Sequence, residues 1–314
     1  MYFTSSDGLK RWRAFLDLCA LLAPRAIAAE PLHDSDWKLI VRLASDHKVS
    51  PAVWHSIKGR GFVANEAKAH FHVAHKMNAE RNAVILCALA EVVARLQEIG
   101  INPILLKGAA NLTSGLYTDP AERILTDLDL LVSSGQIKAA KAALCGMGYT
   151  VSMPDNTKNP SRWVRRSSLC HHIAPLLHPS GTFSIEIHKS LIATQSVNDE
   201  FERILRTADM FERAVAIQWN GHSVFALHPT DRIVHHIVHA QIQDGRFSRG
   251  TIELRQMREL ALLAARHGHA VDWRDIEHRF SSAGHADVLA EQAALCLALM
   301  GVALPVPPPT LAIA

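Results

Sequence analysis

Asp127 and Asp129 are the residues whose types and spacing point most directly to chemistry. They flank Leu128 in the run from Thr126 to Val132, where side chains alternate as in a β-strand. Strand geometry places both carboxylates on one face, about 6 to 7 Å apart. Such a pair repels unless it shares a cation, and its oxygen ligands favour Mg²⁺ or Mn²⁺ over zinc. The motif therefore predicts a divalent-metal site, although Asp-x-Asp alone is also common on a solvated strand face.

A third carboxylate, Glu186, lies in a second strand-like run from Thr182 to His188. Its apolar residues alternate with Ser184, Glu186 and His188, which share the opposite face. If the two strands are neighbours, Glu186 joins the aspartates, and three such acids can hold two metal ions that clamp phosphates. The alternative for Glu186 is an exposed strand residue. His188 could orient a ligand or an acceptor, but a satisfied surface histidine is the preferred interpretation.

An anion site is predicted upstream of the aspartates, where the strand at 103–106 runs into Lys107 and Gly108. Gly108 would let the backbone approach a phosphate, the helix start offers free N–H groups, and Lys107 adds positive charge. Arg123 lies four residues before Asp127. It could contact the phosphates, or it could neutralise the aspartates as a structural ion pair.

Two further groups give weaker signals. His235 and His239 have the i, i+4 spacing of zinc ligands on a helix, but no glutamate or third ligand accompanies them, so core histidines are the preferred interpretation. The polar stretch 154–166 predicts a loop. Its basic residues could fold over a nucleotide or simply be solvated; they are Arg162, Arg165 and Arg166.

The elements that must position these residues follow from periodicity. Helical spacing of apolar residues in the N-terminal third gives way to short strand-length runs, and helical spacing returns from Pro229 onward. We therefore predict an α/β (α+β) fold with a mixed β-sheet between helical regions. The predicted boundaries are an N-terminal helical region at 1–77, a sheet domain at 78–225, a C-terminal helical region at 226–304 and a tail at 305–314.

Composition narrows the class of protein. The net charge is +3 over 314 residues and the basic residues are scattered, so dedicated nucleic-acid binding is not indicated. The five cysteines contain no Cys-x-x-Cys pair, which is typical of reduced thiols. No signal peptide or membrane span is evident, and we expect a cytoplasmic protein.

The motifs together resemble a known family. Leu105-Leu106-Lys107-Gly108, Arg123, Asp127-Leu128-Asp129 and Glu186-Ile187-His188 are similar in type and order to the bacterial uncharacterised nucleotidyltransferase family of the DNA polymerase β-like superfamily. The resemblance covers most of the chain. It implies a nucleotidyltransferase palm, with the three acids as metal ligands and Lys107 and Gly108 near the nucleotide. One departure is Ala109, which stands where the wider superfamily has a serine that meets a phosphate.

The expected activity is Mg²⁺- or Mn²⁺-dependent transfer of a nucleoside monophosphate from a nucleoside triphosphate such as ATP, with pyrophosphate release. Asp127, Asp129 and Glu186 would be the catalytic residues. The acceptor is an unknown small molecule, saccharide or peptide. The alternatives are a catalytically silent nucleotide-binding module, favoured by Ala109, and a metal-dependent phosphohydrolase.

Overall fold

A computed structural model of the protein describes residues 6–24, 35–152, 171–192 and 199–306. The predicted loop at 154–166, including Arg162, Arg165 and Arg166, lies outside the described residues. So does most of the predicted tail, from residue 307 onward.

Four helices form the N-terminal region: α1 (Ser6–Leu22), α2 (Trp37–Asp46), α3 (Ser50–Ile57) and α4 (Asn65–Glu98). Helix α2 shows how its sequence specifies it. The Asp36 side chain accepts a hydrogen bond from the Leu39 backbone N–H at 3.1 Å and so caps the first turn. Its buried residues recur at helical spacing and face the other N-terminal helices; they are Trp37, Ile40, Leu43 and Ala44.

The central sheet has seven strands within the described ranges: β1 (Ile104–Leu105), β2 (Asp127–Leu131), β3 (Thr150–Val151), β4 (Leu176–Leu177), β5 (Ser184–His188), β6 (Val215–Trp219) and β7 (His222–Ala226). Their order is β3-β4-β5-β2-β1-β7-β6. Strand β2 lies at the centre, parallel to β5 and antiparallel to β1. The sheet is therefore mixed, and its central strand carries the Asp-x-Asp motif.

Helices connect and cover these strands. Strand β1 leads through Leu106 into α5 (Lys107–Thr113), and β2 is followed by α6 (Ile137–Gly146). Two short helices precede the last hairpin, α7 (Asp199–Ile204) and α8 (Thr207–Arg213). Each helix after a strand packs small or apolar residues toward the sheet, as in α5, where Ala109 is fully buried.

The C-terminal region is helical and begins directly after the sheet. Its helices are α9 (Pro229–Ile237), α10 (Arg246–Arg249), α11 (Leu254–His267), α12 (Trp273–Ser282) and α13 (Ala286–Met300). A π-helical segment, Val238–Gln243, continues α9 and carries His239. Such wide turns occur often at functional sites, because they change the direction of the side chains that follow.

The predicted fold class is confirmed: a mixed sheet lies between N- and C-terminal helical regions. The predicted boundaries at 77/78 and 225/226 fall inside helix α4 and strand β7, respectively. The buried apolar residues also form one continuous cluster from α1 to α13. The helical regions therefore share a core with the sheet.

None of the helices in the described ranges combines the length and apolar character that a bilayer span requires. The described cysteines are free thiols, with Cys19 and Cys296 buried and Cys87 and Cys145 exposed.

Candidate active site

The parallel pairing of β2 and β5 brings the predicted acids together. In register, Asp129 is opposite Glu186, and Asp127 is opposite Ser184. The two strands are therefore neighbours, which is the condition under which Glu186 joins the aspartates. Because side chains at paired positions point to the same face, the carboxylates of Asp129 and Glu186 lie side by side.

Asp129 is a buried carboxylate with two close partners. Its side chain is 3% exposed, and its Oδ1 lies 2.9 Å from Lys107 Nζ and 2.8 Å from His188 Nε2. Burial alone would raise the pKa of Asp129, but the charge of Lys107 and the hydrogen bond from His188 outweigh it and hold the pKa well below its usual range. Asp129 is therefore a permanent negative charge inside the protein.

Glu186 and His188 complete a compact set of ligand atoms. Glu186 Oε2 lies 3.7 Å from His188 Nε2 and 3.7 Å from His172 Nε2. Burial, together with the neighbouring charge of Asp129, raises the pKa of Glu186. One ligand atom from each of Asp129, Glu186 and His188 lies within 4.8 Å of the others. We refer to these three residues as the acid–histidine cluster.

Asp127 lies outside this cluster, one pair of residues nearer the start of β2. Its carboxylate is half-buried and accepts a hydrogen bond from Thr126 Oγ1 at 3.1 Å. It shares the strand face of Asp129, as the alternation predicts, and its charge raises the pKa of Lys107 along with those of Asp129 and Glu186.

Lys107 is held in an unusual backbone conformation. It opens helix α5 with a φ of +44°, a left-handed conformation that is uncommon for a residue with a side chain. Burial alone would lower the pKa of Lys107, but its contact with Asp129 outweighs this and raises it. A strained backbone therefore positions a permanent ammonium group on the central carboxylate of the site.

Gly108 is required by packing. A Cβ atom there would lie 2.6 Å from Leu125 Cδ1 and 3.0 Å from Arg123 Cζ, so any side chain would collide with the connector before β2. Arg123 itself is buried and contacts neither aspartate. Its Nε pairs instead with Glu259 Oε1 at 2.9 Å. The space beside Gly108 is filled by protein, although its backbone N–H belongs to the first turn of α5.

A cleft adjoins this cluster between helices α5, α9 and α11. Its empty volume is about 600 Å³, counting the part open to solvent. Four lysine or arginine side chains line it, and Glu259 is the only acid among the described lining residues. The four are Lys107, Arg123, Arg232 and Arg255. We call it the arginine cleft; Lys107 belongs to both the cleft and the contacts of Asp129.

Histidines surround the acid–histidine cluster from two sides. The rings of His171 and His188 are 4.9 Å apart, and those of His171 and His172 are 4.7 Å apart. From the C-terminal region, His235 and His239 line the arginine cleft, with ring centroids 6.0 Å apart. Burial lowers the pKa of both residues well below the usual range, with the charge of Lys107 as a second cause. His235 is a buried residue, whereas His239 is 20% exposed and its Nδ1 lies 3.7 Å from Asp244 Oδ2.

His188 is fully buried, so the preferred interpretation as a surface histidine is wrong. Its Nδ1 has no hydrogen-bond partner among the described residues, and its Nε2 faces both carboxylates. Sequence reasoning missed Glu259, Arg232 and Asn111, which line the arginine cleft. The sequence held a signal for Glu259: it stands among apolar residues at helical spacing in α11, on the face that is buried.

The chain matches the model of the family described as uncharacterised nucleotidyltransferase over residues 33–301. It therefore belongs to this family of nucleotidyltransferases, and the match includes the sheet and most of both helical regions. No curated protein matches the chain.

Two solved structures are similar to it. One is the antibiotic-resistance factor ANT(2'')-Ia, at 11% identity and a TM-score of 0.42, covering 68% of this chain and 95% of that one. The other is an antigenic nucleotidyltransferase-like protein from Paracoccidioides brasiliensis, at 15% identity and a TM-score of 0.39, covering 69% of this chain and 92% of that one.

Proposed function

We propose that the protein transfers a nucleoside monophosphate from a nucleoside triphosphate such as ATP to an acceptor, with release of pyrophosphate. The catalytic site is the face of β2 and β5 that carries Asp127, Asp129 and Glu186. The observation that carries the proposal is the register of these strands, which pairs Asp129 with Glu186 next to His188. The acceptor is a small molecule, a saccharide or a peptide.

The donor set fits a divalent cation. Two carboxylates and an imidazole nitrogen converge within 4.8 Å, and the Lys107 ammonium already supplies positive charge to Asp129 at 2.9 Å. Asp129 and Glu186 would hold Mg²⁺ or Mn²⁺, with Asp127 as a further ligand and His188 as a ligand or an orienting partner. Such a cation neutralises phosphate charge and polarises the phosphorus centre when bound.

The protein's own groups prepare the site for a polyphosphate. Lys107 is 24% exposed at its side chain and has a flexible stem, so its ammonium group can leave Asp129 for a phosphate oxygen once Asp129 has another counter-charge. The N–H group of Gly108, in the first turn of α5, offers a second donor. Arg123, held by Glu259, adds positive charge at the wall of the cleft without leaving its partner.

The buried carboxylate of Asp129 is held in one position by its partners. It is fixed by two partners in a water-poor environment, where electrostatic interactions are stronger than at the surface. A carboxylate that is preorganised in this way needs no rearrangement before it acts.

The test compares the wild type with Asp129→Asn and with the matched control Asp46→Asn, because Asp46 is an exposed aspartate at the end of α2. ATP binding is measured by calorimetry with Mn²⁺, and pyrophosphate release is measured with Mg²⁺ or Mn²⁺ over a panel of acceptors. We expect Asp129→Asn to lose metal-dependent binding and turnover, and Asp46→Asn to retain both.

Three other outcomes would contradict the proposal. A fully active Asp129→Asn protein would remove the catalytic role of the central carboxylate. ATP binding without pyrophosphate release over the whole panel would indicate a silent binding module. Release of nucleoside monophosphate without any acceptor would indicate a phosphohydrolase.

A further inference from the structure

The arginine cleft contains a positive charge that no carboxylate of the described residues pairs with. Three of its four lysine and arginine side chains have a carboxylate partner. Lys107 pairs with Asp129, and Arg123 pairs with Glu259, each at 2.9 Å. Arg255 pairs with Glu253 Oε1, also at 2.9 Å. The fourth side chain, that of Arg232, is the exception.

Arg232 has only neutral hydrogen-bond partners among the described residues. Its NH2 group donates to Asn111 Oδ1 at 2.8 Å and to Ser114 Oγ at 3.0 Å. No described carboxylate lies within 4.0 Å of its guanidinium group, yet the residue is 7% exposed. Burial lowers the pKa of Arg232 to about 10, and the charge of Glu259 does not restore it. The group remains cationic at neutral pH.

The position of Arg232 adds to this imbalance. It lies in the first turn of α9, where the helix dipole disfavours a cation. The nearest acid of the cleft, Glu259, is already occupied by Arg123 Nε and by Asn111 Nδ2, at 2.9 and 3.1 Å. Asn111 therefore bridges the two, since its amide donates to Glu259 and its carbonyl accepts from Arg232. This bridge fixes the guanidinium group without neutralising it.

A buried charge is costly unless it is paired, and a guanidinium group offers a planar fork that matches the two oxygens of a phosphate or a carboxylate. The N–H groups of Arg232 other than NH2 have no partner among the described residues, and the residue lines the cleft. We infer that the arginine cleft binds an anionic group of a substrate, a phosphate or a carboxylate, through Arg232.

This inference deepens the proposed function and rests on it. Lys107 lines the arginine cleft and also pairs with Asp129 of the acid–histidine cluster, so the two regions adjoin. The anionic group is therefore carried by a substrate of the same site. It has two possible sources: the polyphosphate of the nucleotide, or a phosphate or carboxylate on the acceptor. The chemistry that Arg232 recognises is the same in both.

The experiment measures binding by calorimetry in the absence of divalent cations and without turnover. The probes are pyrophosphate, inorganic phosphate, succinate and ATP. The variants are Arg232→Gln, Arg232→Lys, which keeps the charge but loses the fork, and the control Arg95→Gln, which changes an exposed arginine of α4. We expect roughly 10-fold or greater weakening of at least one probe in Arg232→Gln, a smaller loss in Arg232→Lys and no change in the control.

The pattern across probes identifies the source. Joint weakening of ATP and pyrophosphate assigns the site to the nucleotide. Unchanged ATP affinity with weakened phosphate or succinate assigns it to the acceptor. Thermal unfolding of the free proteins gives a second readout: a ligand-binding Arg232 predicts a Tm for Arg232→Gln no lower than that of the wild type, because the variant removes an unpaired buried charge.

Equal affinities of the wild type and Arg232→Gln for every probe would overturn the inference, as would the absence of binding by all four. Because no step requires turnover or metal, this result is distinct from failure of the proposed function. Anion binding that depends on Arg232, in a protein that never releases pyrophosphate, would leave the inference standing and contradict the proposed activity.

Discussion

The acid–histidine cluster and the arginine cleft lie next to each other and are unbalanced in opposite directions. In the first, the carboxylates of Asp129 and Glu186 lie side by side, and one ammonium group, that of Lys107, pairs with Asp129. In the second, four lysine or arginine side chains line a cleft with one acid, Glu259. The charges of the acid–histidine cluster favour a cation, and those of the arginine cleft favour an anion. This is the pair of charges that a metal-bound polyphosphate brings.

Within this comparison, Glu259 and Asp129 are both buried acids with basic partners, but their surroundings differ. Glu259 contacts Arg123 at 2.9 Å and Asn111 at 3.1 Å, both buried with it, and the partly buried Arg255 at 3.9 Å. Asp129 pairs with Lys107, whose side chain is 24% exposed and can reach water. The first acid is fixed in a structural network, whereas the second has an exchangeable counter-charge.

The largest effect is expected from Glu259→Gln. Removing this charge leaves the buried Arg123 without its carboxylate partner, which costs about 3 to 5 kcal/mol of unfolding free energy. Asp129→Asn should cost less, because Lys107 can turn toward solvent. Urea unfolding of both variants measures the difference. Glu98→Gln is the matched control, since Glu98 is 63% exposed and its change should stay within about 0.5 kcal/mol. Equal losses of unfolding free energy in Glu259→Gln and Asp129→Asn would contradict the proposed difference between the two acids.

The second effect concerns the imidazole in the acid–histidine cluster. His188→Asn removes a nitrogen that lies 2.8 Å from Asp129 Oδ1, and we expect Mn²⁺ affinity to fall by roughly 10- to 100-fold. Mg²⁺ affinity should change less, because Mg²⁺ prefers oxygen ligands. Calorimetric titration with each metal measures the ratio. His178→Asn is a suitable control, because the ring of His178 stacks on Phe183 away from the cluster. If the ratio of Mn²⁺ affinity to Mg²⁺ affinity were the same in His188→Asn as in the wild type, His188 would be excluded as a metal ligand.

The two regions also differ in how far the sequence predicted them. Alternation in a five-residue strand was enough to place Asp127 and Asp129 on one face, because strand periodicity is local. The pairing of Asp129 with Glu186 depends on a residue 57 positions further along the chain, and in the sequence only the similar motif order supported it. Residues on one strand were thus easier to assign than contacts between strands.

The arginine cleft was missed because its residues come from distant parts of the chain. Arg123 and Glu259 are 136 residues apart, and the position of Glu259 among apolar residues indicates burial without indicating its partner. Arg123 was expected to reach the phosphates or the aspartates, but Glu259 in the C-terminal region binds it first. No local pattern reports such a pairing.

One missed element did have a local signal. The hairpin of β6 and β7 turns at Asn220 and Gly221, with φ values of +48° and +79°. An Asn-Gly pair between alternating residues is the usual sequence of a two-residue hairpin turn, since both residues tolerate a positive φ. The hairpin could therefore have been predicted, unlike the cleft.

The third effect is the pH dependence of the Glu259 network. Burial alone would raise the pKa of Glu259, but Arg123 and Arg255 outweigh it and lower the pKa. A lowered folded-state pKa gives stability that is present above the unfolded pKa, about 4.3, and is lost as the pH falls through the folded value. The stability difference between the wild type and Glu259→Gln should therefore narrow below about pH 4.3. Urea unfolding at pH 7, 5 and 3.5 tests this, and a constant difference would contradict it.

The smallest effect isolates the backbone strain at Lys107, the residue that the two regions share. Lys107→Ala and Lys107→Gly both remove the ammonium group, so they lose the contact with Asp129 equally. They differ at the φ of +44°, which glycine adopts freely and alanine does not. We expect Lys107→Gly to be more stable than Lys107→Ala by about 1 kcal/mol in urea unfolding.

Ala110→Gly gives the matched comparison within the same helix, because Ala110 has an ordinary helical backbone. There glycine should lower the unfolding free energy by about 1 kcal/mol relative to alanine. At position 107 glycine should instead raise it relative to alanine. If glycine and alanine were equally stable at position 107, no strain would be stored there. A positive difference means that the folded structure holds residue 107 in the left-handed conformation at a cost to its stability.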